Sequence, residues 1–453
     1  MRKRKQNRES IIILIVSVLF HLLWVVIDGV EIRVDSASYI NMVMSREPVY
    51  PIFLALNRSI FGEEGYLMVV VVLQALLGAY ATWRIAQLVG EYSESKYLLP
   101  YATVFIQFAF VLICRFGAVR QMIYTNSIET EGIGFSLYLL FMIQLFRYIM
   151  YKKRSNLLWL LYYCIILSNL RKQMLITFPI VIGAYMIYHM MRMEIKWREV
   201  GKVMLCLVLA GIVSLFVPRA YNYVLRGEAI SYTKSGSFIL TPALYSSSRD
   251  DAMLFNDAKI EELFVSIIND MEEEGLTHAS VSVDADWRMR ASHFANSYDA
   301  ISYGVVNPNV SKYVEQSSKG NYIEDAQFFD GAMNEMSKVL VQANLPQMIN
   351  VFWVNLQAGF MNTIAKNTRV LDVFVVVAYL SYLGLGILSV LKKKYVVSLL
   401  FLMTTIGIIV NGVLVAVTIF TQTRYMIYHF TLFYIVMIWM AYENCDKIKR
   451  LKW

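Results

Sequence analysis

The sequence predicts an all-α polytopic membrane protein, and three observations predict it. Of 453 residues, 57% are hydrophobic and 17% charged, against about 25% charged in a soluble domain, and the mean hydropathy is +0.49. The apolar residues gather into runs close to the roughly 20 residues that a bilayer crossing requires. The basic residues gather between those runs, in clusters that fall on alternate connections. A net charge of +8 distributed in this way orients a membrane protein and forms no continuous basic face for nucleic acid.

The first run follows "MRKRKQNRES" and extends from Ile11 to about Ile27. A signal-peptide core is about 7–15 residues and ends in small residues. This run is longer, carries His21 and Trp24, and reads as an uncleaved first span. Further spans are expected near 66–89, 97–114, 132–150, 156–170, 174–190, 202–218, 370–391, 395–420 and 425–443, about ten with the first at 11–28. The fifth and sixth are short and bracket the polar tip "NLRKQ". With the N-terminal "RKRK" placed in the cytoplasm, the clusters at 152–154, 192–202, 392–394 and the tail "DKIKRLKW" all fall on that side. The expectation is a multi-pass protein of the cell membrane with both termini cytoplasmic.

Three segments then fall outside: 29–65, 115–131 and a long insert, 219–368. The insert holds 18 acidic and 11 basic residues and no run long enough to span. Its "DAKIEELFVSIINDMEEEG" puts Leu263, Ile267 and Ile268 on one helical face. Its "LPQMINVFWVNLQAGFMNTIA" mixes aromatic and polar residues in the manner of a helix at a membrane surface. The chain therefore divides into a transmembrane part, 1–218, with its first outer loop at 29–65; a small, mainly helical extracytoplasmic insert, 219–368; and C-terminal transmembrane helices, 369–453.

The first outer loop contains "EIRVDSASYINMVMSREPVYPIFLAL", Glu31 to Leu56. Asp35 suits the N-cap of a short helix from Ser36, in which Ala37, Ile40, Val43 and Met44 share a face and Tyr39 lies near the face of Asp35. The prolines push Glu47 and Tyr50 out of the α region, and Pro51 opens a second short helix, "PIFLALNRSIF". Asp35 as a cap needs no further role.

Other charges change that weighing. Glu129-Thr130-Glu131 opens the fourth span, and Glu131 leads directly into "GIGFSLYLLF". A carboxylate at a helix N-terminus suits the dipole, but at membrane depth it is costly without a cavity or partner. Arg171 and Lys172 form an outer tip, Arg424 opens the last span in "TQTRYMIYHF", and Arg115 and Arg120 follow the third span. Such cations can snorkel to lipid phosphates or form a site for an anionic headgroup. Two carboxylates and several cations around a membrane-level pocket suit transfer from a lipid-linked phosphate. A carboxylate serves as base for an acceptor hydroxyl, Arg or Lys neutralises the departing phosphate, and apolar helices hold the lipid tail. The four cysteines and five histidines show no metal-ligand spacing, and two carboxylates alone do not decide whether a divalent cation takes part.

These segments resemble the GT-C glycosyltransferases. "DSASY" followed by "REPVYPIFLAL" is similar to the first-loop signature of glycosyltransferase family 39, the bacterial relatives of protein O-mannosyltransferases and aminoarabinose transferases. "TNSIETEGIGFSLYLL" resembles their second acidic segment, "LSNLRKQMLITFP" their arginine at an outer helix tip, and "TRYMIYHF" their late Arg-Tyr opening. The resemblance covers about residues 10–220. It departs where Ser36 follows Asp35 and in the insert, which shows no family signature. It implies a GT-C-like seven-helix core with juxtamembrane helices in the first outer loop. It also implies a polyprenyl-phosphate-sugar donor and inversion at the anomeric carbon, with an extracytoplasmic glycan, lipid or protein as acceptor. Asp35 and Glu131 would be catalytic, Asp35 as the base and Glu131 as the second acidic position, preferred over Glu129. Tyr39 and Arg46 would shape the sugar pocket, Arg171, Lys172 or Arg424 would hold the departing phosphate, and Tyr50 and Tyr425 would also bind substrate. The competing readings are a transporter or flippase for a lipid-linked or anionic substrate, and a polysaccharide polymerase or ligase using a lipid-diphosphate donor. No inverted repeat or pair of broken spans favours transport.

Overall fold

The computed structural model describes residues 2–117, 121–192, 197–231, 237–316, 320–365 and 368–445. Arg120, part of the 192–202 cluster and the basic tail lie outside the described residues. Those described form helices and no strand, with one isolated parallel bridge between Glu31 and Ser127. In chain order the α-helices are α1 (Arg2–Asp28), α2 (Ser36–Ile40), α3 (Val49–Tyr92), α4 (Leu98–Phe116), α5 (Glu131–Tyr151), α6 (Arg154–Leu170), α7 (Thr177–Met191), α8 (Trp197–Arg226), α9 (Ser237–Tyr245), α10 (Ala258–Glu273), α11 (Trp287–Asp299), α12 (Asn307–Glu315), α13 (Tyr322–Ala343), α14 (Leu345–Ile364), α15 (Arg369–Leu391), α16 (Tyr395–Thr418), α17 (Thr423–Met426) and α18 (Phe430–Asn444). They form two compact units. The first comprises Met1–Ser231, Thr363–Asn411 and Met426–Trp453, and the second Tyr232–Asn362 and Gly412–Tyr425.

Among the described residues, nine helices are long and apolar enough to cross a membrane. The expected span near 156–170 is the exception. It forms α6, with 17 residues about 25 Å long at 1.5 Å per residue, at the lower limit of the roughly 17–25 residues that cross a bilayer. In the first unit α3 packs on α1, α4 and α5, and α5 packs on α6. α5 is apolar over most of its circumference, Gln144 and Arg147 apart, and is buried on most of it, with Tyr138, Phe141, Leu145 and Phe146 fully covered. α1 and α15 instead leave Leu19, Val26, Val370 and Val373 on the surface, the pattern of helices that lipid covers.

The first loop differs from expectation in two ways. Asp35 occupies the N-cap position of α2 but makes no side-chain cap bond. The backbone N–H of Arg33 donates to Ser36 Oγ instead, at 2.8 Å. The second helix starts at Val49, so Tyr50 is helical rather than extended and Pro51 sits within the first turn, where a missing N–H leaves no bond unmade. This helix continues into the second span through one break at Gly62 (φ 74°, ψ 172°), a conformation open in practice to glycine alone.

α8 also continues past the expected 218 to Arg226. In the second unit α10 forms as its pattern predicts. The Asp257 side chain caps its N-terminus through Lys259 N at 2.8 Å, and Leu263, Ile267 and Ile268 are buried in a common core with Phe264, Phe294 and Met336. Asn355 on α14, 3% exposed, ties the end of α16 and the residues after it to this unit. Its Nδ2 donates to Ala416 O (3.1 Å) and Ile419 O (2.8 Å), and its Oδ1 accepts from Thr421 N at 2.9 Å. Asn355→Ala leaves those buried backbone groups unpaired, at about 1–3 kcal/mol for each group left unsatisfied. The thermal midpoint of the purified variant is expected to fall by several degrees, and an unchanged midpoint would show that the tie carries no load.

Candidate functional site

Three connections meet at one end of the first unit: the α1–α3 loop, the α4–α5 loop and the α6–α7 tip. Glu31 and Ile128 bond backbone to backbone at 3.0 Å, as do Glu31 and Asn126. The Asn126 side chain donates to the carbonyls of Trp24 (2.9 Å) and Gly29 (3.0 Å) at the end of α1. Beneath them, fully buried Gln74 on α3 donates to Thr125 O (2.8 Å) and Ser127 O (3.0 Å) and accepts from Tyr50 Oη at 2.9 Å. Gln74 reaches this position because residue 132 is glycine. A Cβ there would lie 2.6 Å from the Gln74 amide carbon. Gln74 thus fixes the entry of α5, which sets Glu131.

Three of the ion pairs at this end concern the candidate site. Glu131 Oε1 accepts from Arg171 Nη1 at 2.7 Å, with side chains 3% and 18% exposed. Asp35 Oδ1 accepts from Arg46 Nη2 at 2.6 Å, and Asp35 is 31% exposed. Glu47 and Lys172 pair at 3.2 Å, the carboxylate 5% and the ammonium 41% exposed. Arg46 also donates from Nε to Ser38 Oγ at 2.7 Å and stacks over the Tyr39 ring, 4.6 Å from its centroid. Burial raises the Tyr39 hydroxyl above its ordinary value. Arg46 and Arg171 pull it down, whereas Glu131 and Asp35 push it up. Tyr39 is therefore the common neighbour of the first two pairs, and its ring meets that of Tyr50 edge to face at 5.3 Å.

Of the residues singled out in the sequence, the structure brings together Asp35, Tyr39 and Arg46 in one loop with Tyr50 at the start of α3, and Glu131 with Arg171 beside them. Lys172 pairs with Glu47, at the end of that same loop. Arg424 and Tyr425 belong to the second unit, where Arg424 Nη2 donates to Tyr425 Oη at 2.7 Å and stacks on its ring. Arg115 is bound to Asp28 at 2.8 Å, so a carboxylate takes up the charge that the sequence left to lipid phosphates or a headgroup site.

Sequence reasoning missed Glu47, Gln74 and Arg226. The signal for Gln74 was a lone amide inside an apolar run. Arg226 donates to the carbonyl of Met42. Met42 closes α2 with φ 50°, through the paired bonds Val43 N to Ser38 O and Met42 N to Tyr39 O. That Schellman closure normally uses glycine, and a β-carbon there costs about 1–2 kcal/mol. Arg226 holds the strained turn in place, and with it Asp35 and Tyr39. The described residues include no group of three or more His, Cys, Asp or Glu side chains arranged to hold a metal. No family model, curated protein or solved structure matches the chain.

Glu47 gives a prediction with a definite sign. Burial raises its carboxyl above the usual range, and Lys172 offsets this only in part. A carboxyl whose folded-state pKa lies above the unfolded value of about 4.3 binds its proton more tightly in the folded protein. Stability then falls as pH rises through the window between the two values. Glu47→Gln is expected to raise the thermal midpoint at pH 7.5 and to flatten its decline above about pH 4.3. A lower midpoint than wild type at pH 7.5 would mean that the Lys172 pair outweighs the desolvation.

Proposed function

We propose that the protein is an integral-membrane inverting glycosyltransferase of GT-C type, which moves a sugar from a polyprenyl-phosphate donor to an extracytoplasmic acceptor. One observation carries this reading: a partly exposed aspartate held by an arginine stands next to a buried glutamate–arginine pair, at one end of an apolar helical bundle. The basic clusters in the sequence put that end outside the cell. Such a site can take a hydroxyl and a phosphate together at the level where a lipid-linked donor presents them.

In this mechanism the acceptor hydroxyl rests against the Asp35 carboxylate. Its oxygen attacks the anomeric carbon on the face opposite the phosphate. The bond from that carbon to the phosphate oxygen breaks, the electron pair leaves with the lipid phosphate, and the hydroxyl proton passes to Asp35. A carboxylate is a weak base, which suffices when the transition state is oxocarbenium-like and the proton leaves late. Arg46 fixes the carboxylate through Oδ1, and Tyr39 and Tyr50 shape the sugar pocket. Arg171 and exposed Lys172 neutralise the departing phosphate. Glu131, 3% exposed, is too deeply buried to meet substrate and acts by positioning Arg171.

In purified protein reconstituted with a polyprenyl-phosphate sugar, Asp35→Asn should lower kcat by about 10²–10⁴-fold while donor KM stays near wild type. Arg171→Ala should raise donor KM by about tenfold or more, the worth of one charge-assisted hydrogen bond. Near-wild-type turnover by folded Asp35→Asn would remove Asp35 as the base, and an unchanged donor KM in Arg171→Ala would remove the phosphate assignment.

A further inference from the structure

The second unit holds a cavity of about 300 Å³, at the lower end of the range of small-molecule sites, about 300–1,000 Å³. Its walls include Tyr245, His278, Arg290, Phe294, Gln347 and Asn350, with valine and alanine side chains between them. The insert as a whole is acidic, with 18 carboxylates against 11 basic residues. No Asp or Glu lines this cavity, and an arginine does. A cationic pocket inside an acidic domain selects for anions by contrast with its surroundings.

The groups in the cavity are held in place. Arg290 donates from Nε to Ala285 O and from Nη2 to Val283 O, both at 3.0 Å. These bonds fix the plane of the guanidinium and hold the loop that forms one wall. The Arg290 charge acts on both His278 and Tyr245. Burial lowers the His278 pKa and Arg290 lowers it further, so the ring is neutral at neutral pH. Its Nδ1 is buried with no hydrogen-bond partner among the described residues, a state that costs free energy until a ligand supplies one. Tyr245 is oriented through His293. In the neutral ring, His293 Nε2–H donates to Gly275 O at 3.1 Å, so Nδ1 accepts from Tyr245 Oη at 2.9 Å. The Tyr245 and Phe294 rings pack at 4.9 Å between centroids and form an aromatic wall. Opposite in chemistry are the amides of Gln347 and Asn350 on α14.

We infer that this cavity binds a carboxylated monosaccharide unit. Arg290 takes the carboxylate, the amides and His278 take vicinal hydroxyls, and the apolar face of the sugar ring lies against the aromatic wall. Its identification as part of an acceptor glycan rests on the transferase reading, whereas the binding itself does not.

Saturation-transfer NMR on the full-length protein in lipid nanodiscs tests this, with glucuronate, glucose and inorganic phosphate as probes. Glucuronate should bind at least about tenfold more tightly than glucose, the worth of one charge-assisted bond, and phosphate should not displace it at equal concentration. Arg290→Gln should weaken glucuronate about tenfold or more. A His278→Leu/Gln347→Leu variant, which leaves the Arg290 loop bonds intact, should do the same, so a folding defect at Arg290 does not protect the idea. Asp35→Asn should bind as wild type does, whether or not transfer is observed, which separates this site from the transferase reading. Equal binding of glucose, ready displacement by phosphate, no glucuronate signal at all, or loss of binding in Asp35→Asn but not in Arg290→Gln would each overturn the inference.

Discussion

The ion pair between Glu131 and Arg171 is the constraint on which the rest of the first unit's charged end depends. It joins the first residue of α5 to the residue that ends α6, across 40 positions of sequence. Removing one partner of a buried pair costs about 3–5 kcal/mol, because the other charge is left uncompensated. The glutamate gains from the N-terminal dipole of α5, and the arginine is held where the α6–α7 tip turns. Gln74 fixes the loop that enters α5, Tyr50 fixes Gln74, and Tyr39 packs on Tyr50 within reach of both arginines. A displacement of Glu131 would pass to Asp35 through this chain of contacts.

Stability alone does not account for the arrangement. Buried ion pairs are often no better for folding than apolar side chains of equal size. Glu47 is buried beside a lysine that only partly offsets its desolvation, and Met42 holds a backbone conformation that glycine would hold without strain. Costs of this kind collect where side chains are arranged for chemistry. Here they collect in the loop that carries Asp35.

Much of this was legible in the sequence, for identifiable reasons. Apolar runs and charge clusters marked the helices because bilayer thickness and topology act on local composition. α10 was legible because its period of 3.6 survives in the folded unit. Asp35, Glu131 and Arg171 were each singled out as charges in unfavourable places, but their pairing was not legible, since partners 11 and 40 residues apart are joined by tertiary structure. The cap bond of Asp35 failed because Arg46 competes for the same carboxylate. Tyr50 was read as extended because Pro51 follows it, although proline is tolerated in the first turn of a helix. Arg115 could be read only as snorkelling to lipid or joining a headgroup site, because nothing local pointed to Asp28, 87 positions earlier.

The measurement that tests the central claim most directly is the fate of the donor. Wild-type protein in nanodiscs would be given a sugar linked to polyprenyl monophosphate or to polyprenyl diphosphate, with released lipid and product anomer read by mass spectrometry and NMR. The account predicts that the monophosphate donor is consumed, that lipid monophosphate is released, and that the anomeric configuration is inverted. Release of lipid diphosphate, retention of configuration, or movement of the intact donor across the bilayer without cleavage would contradict it.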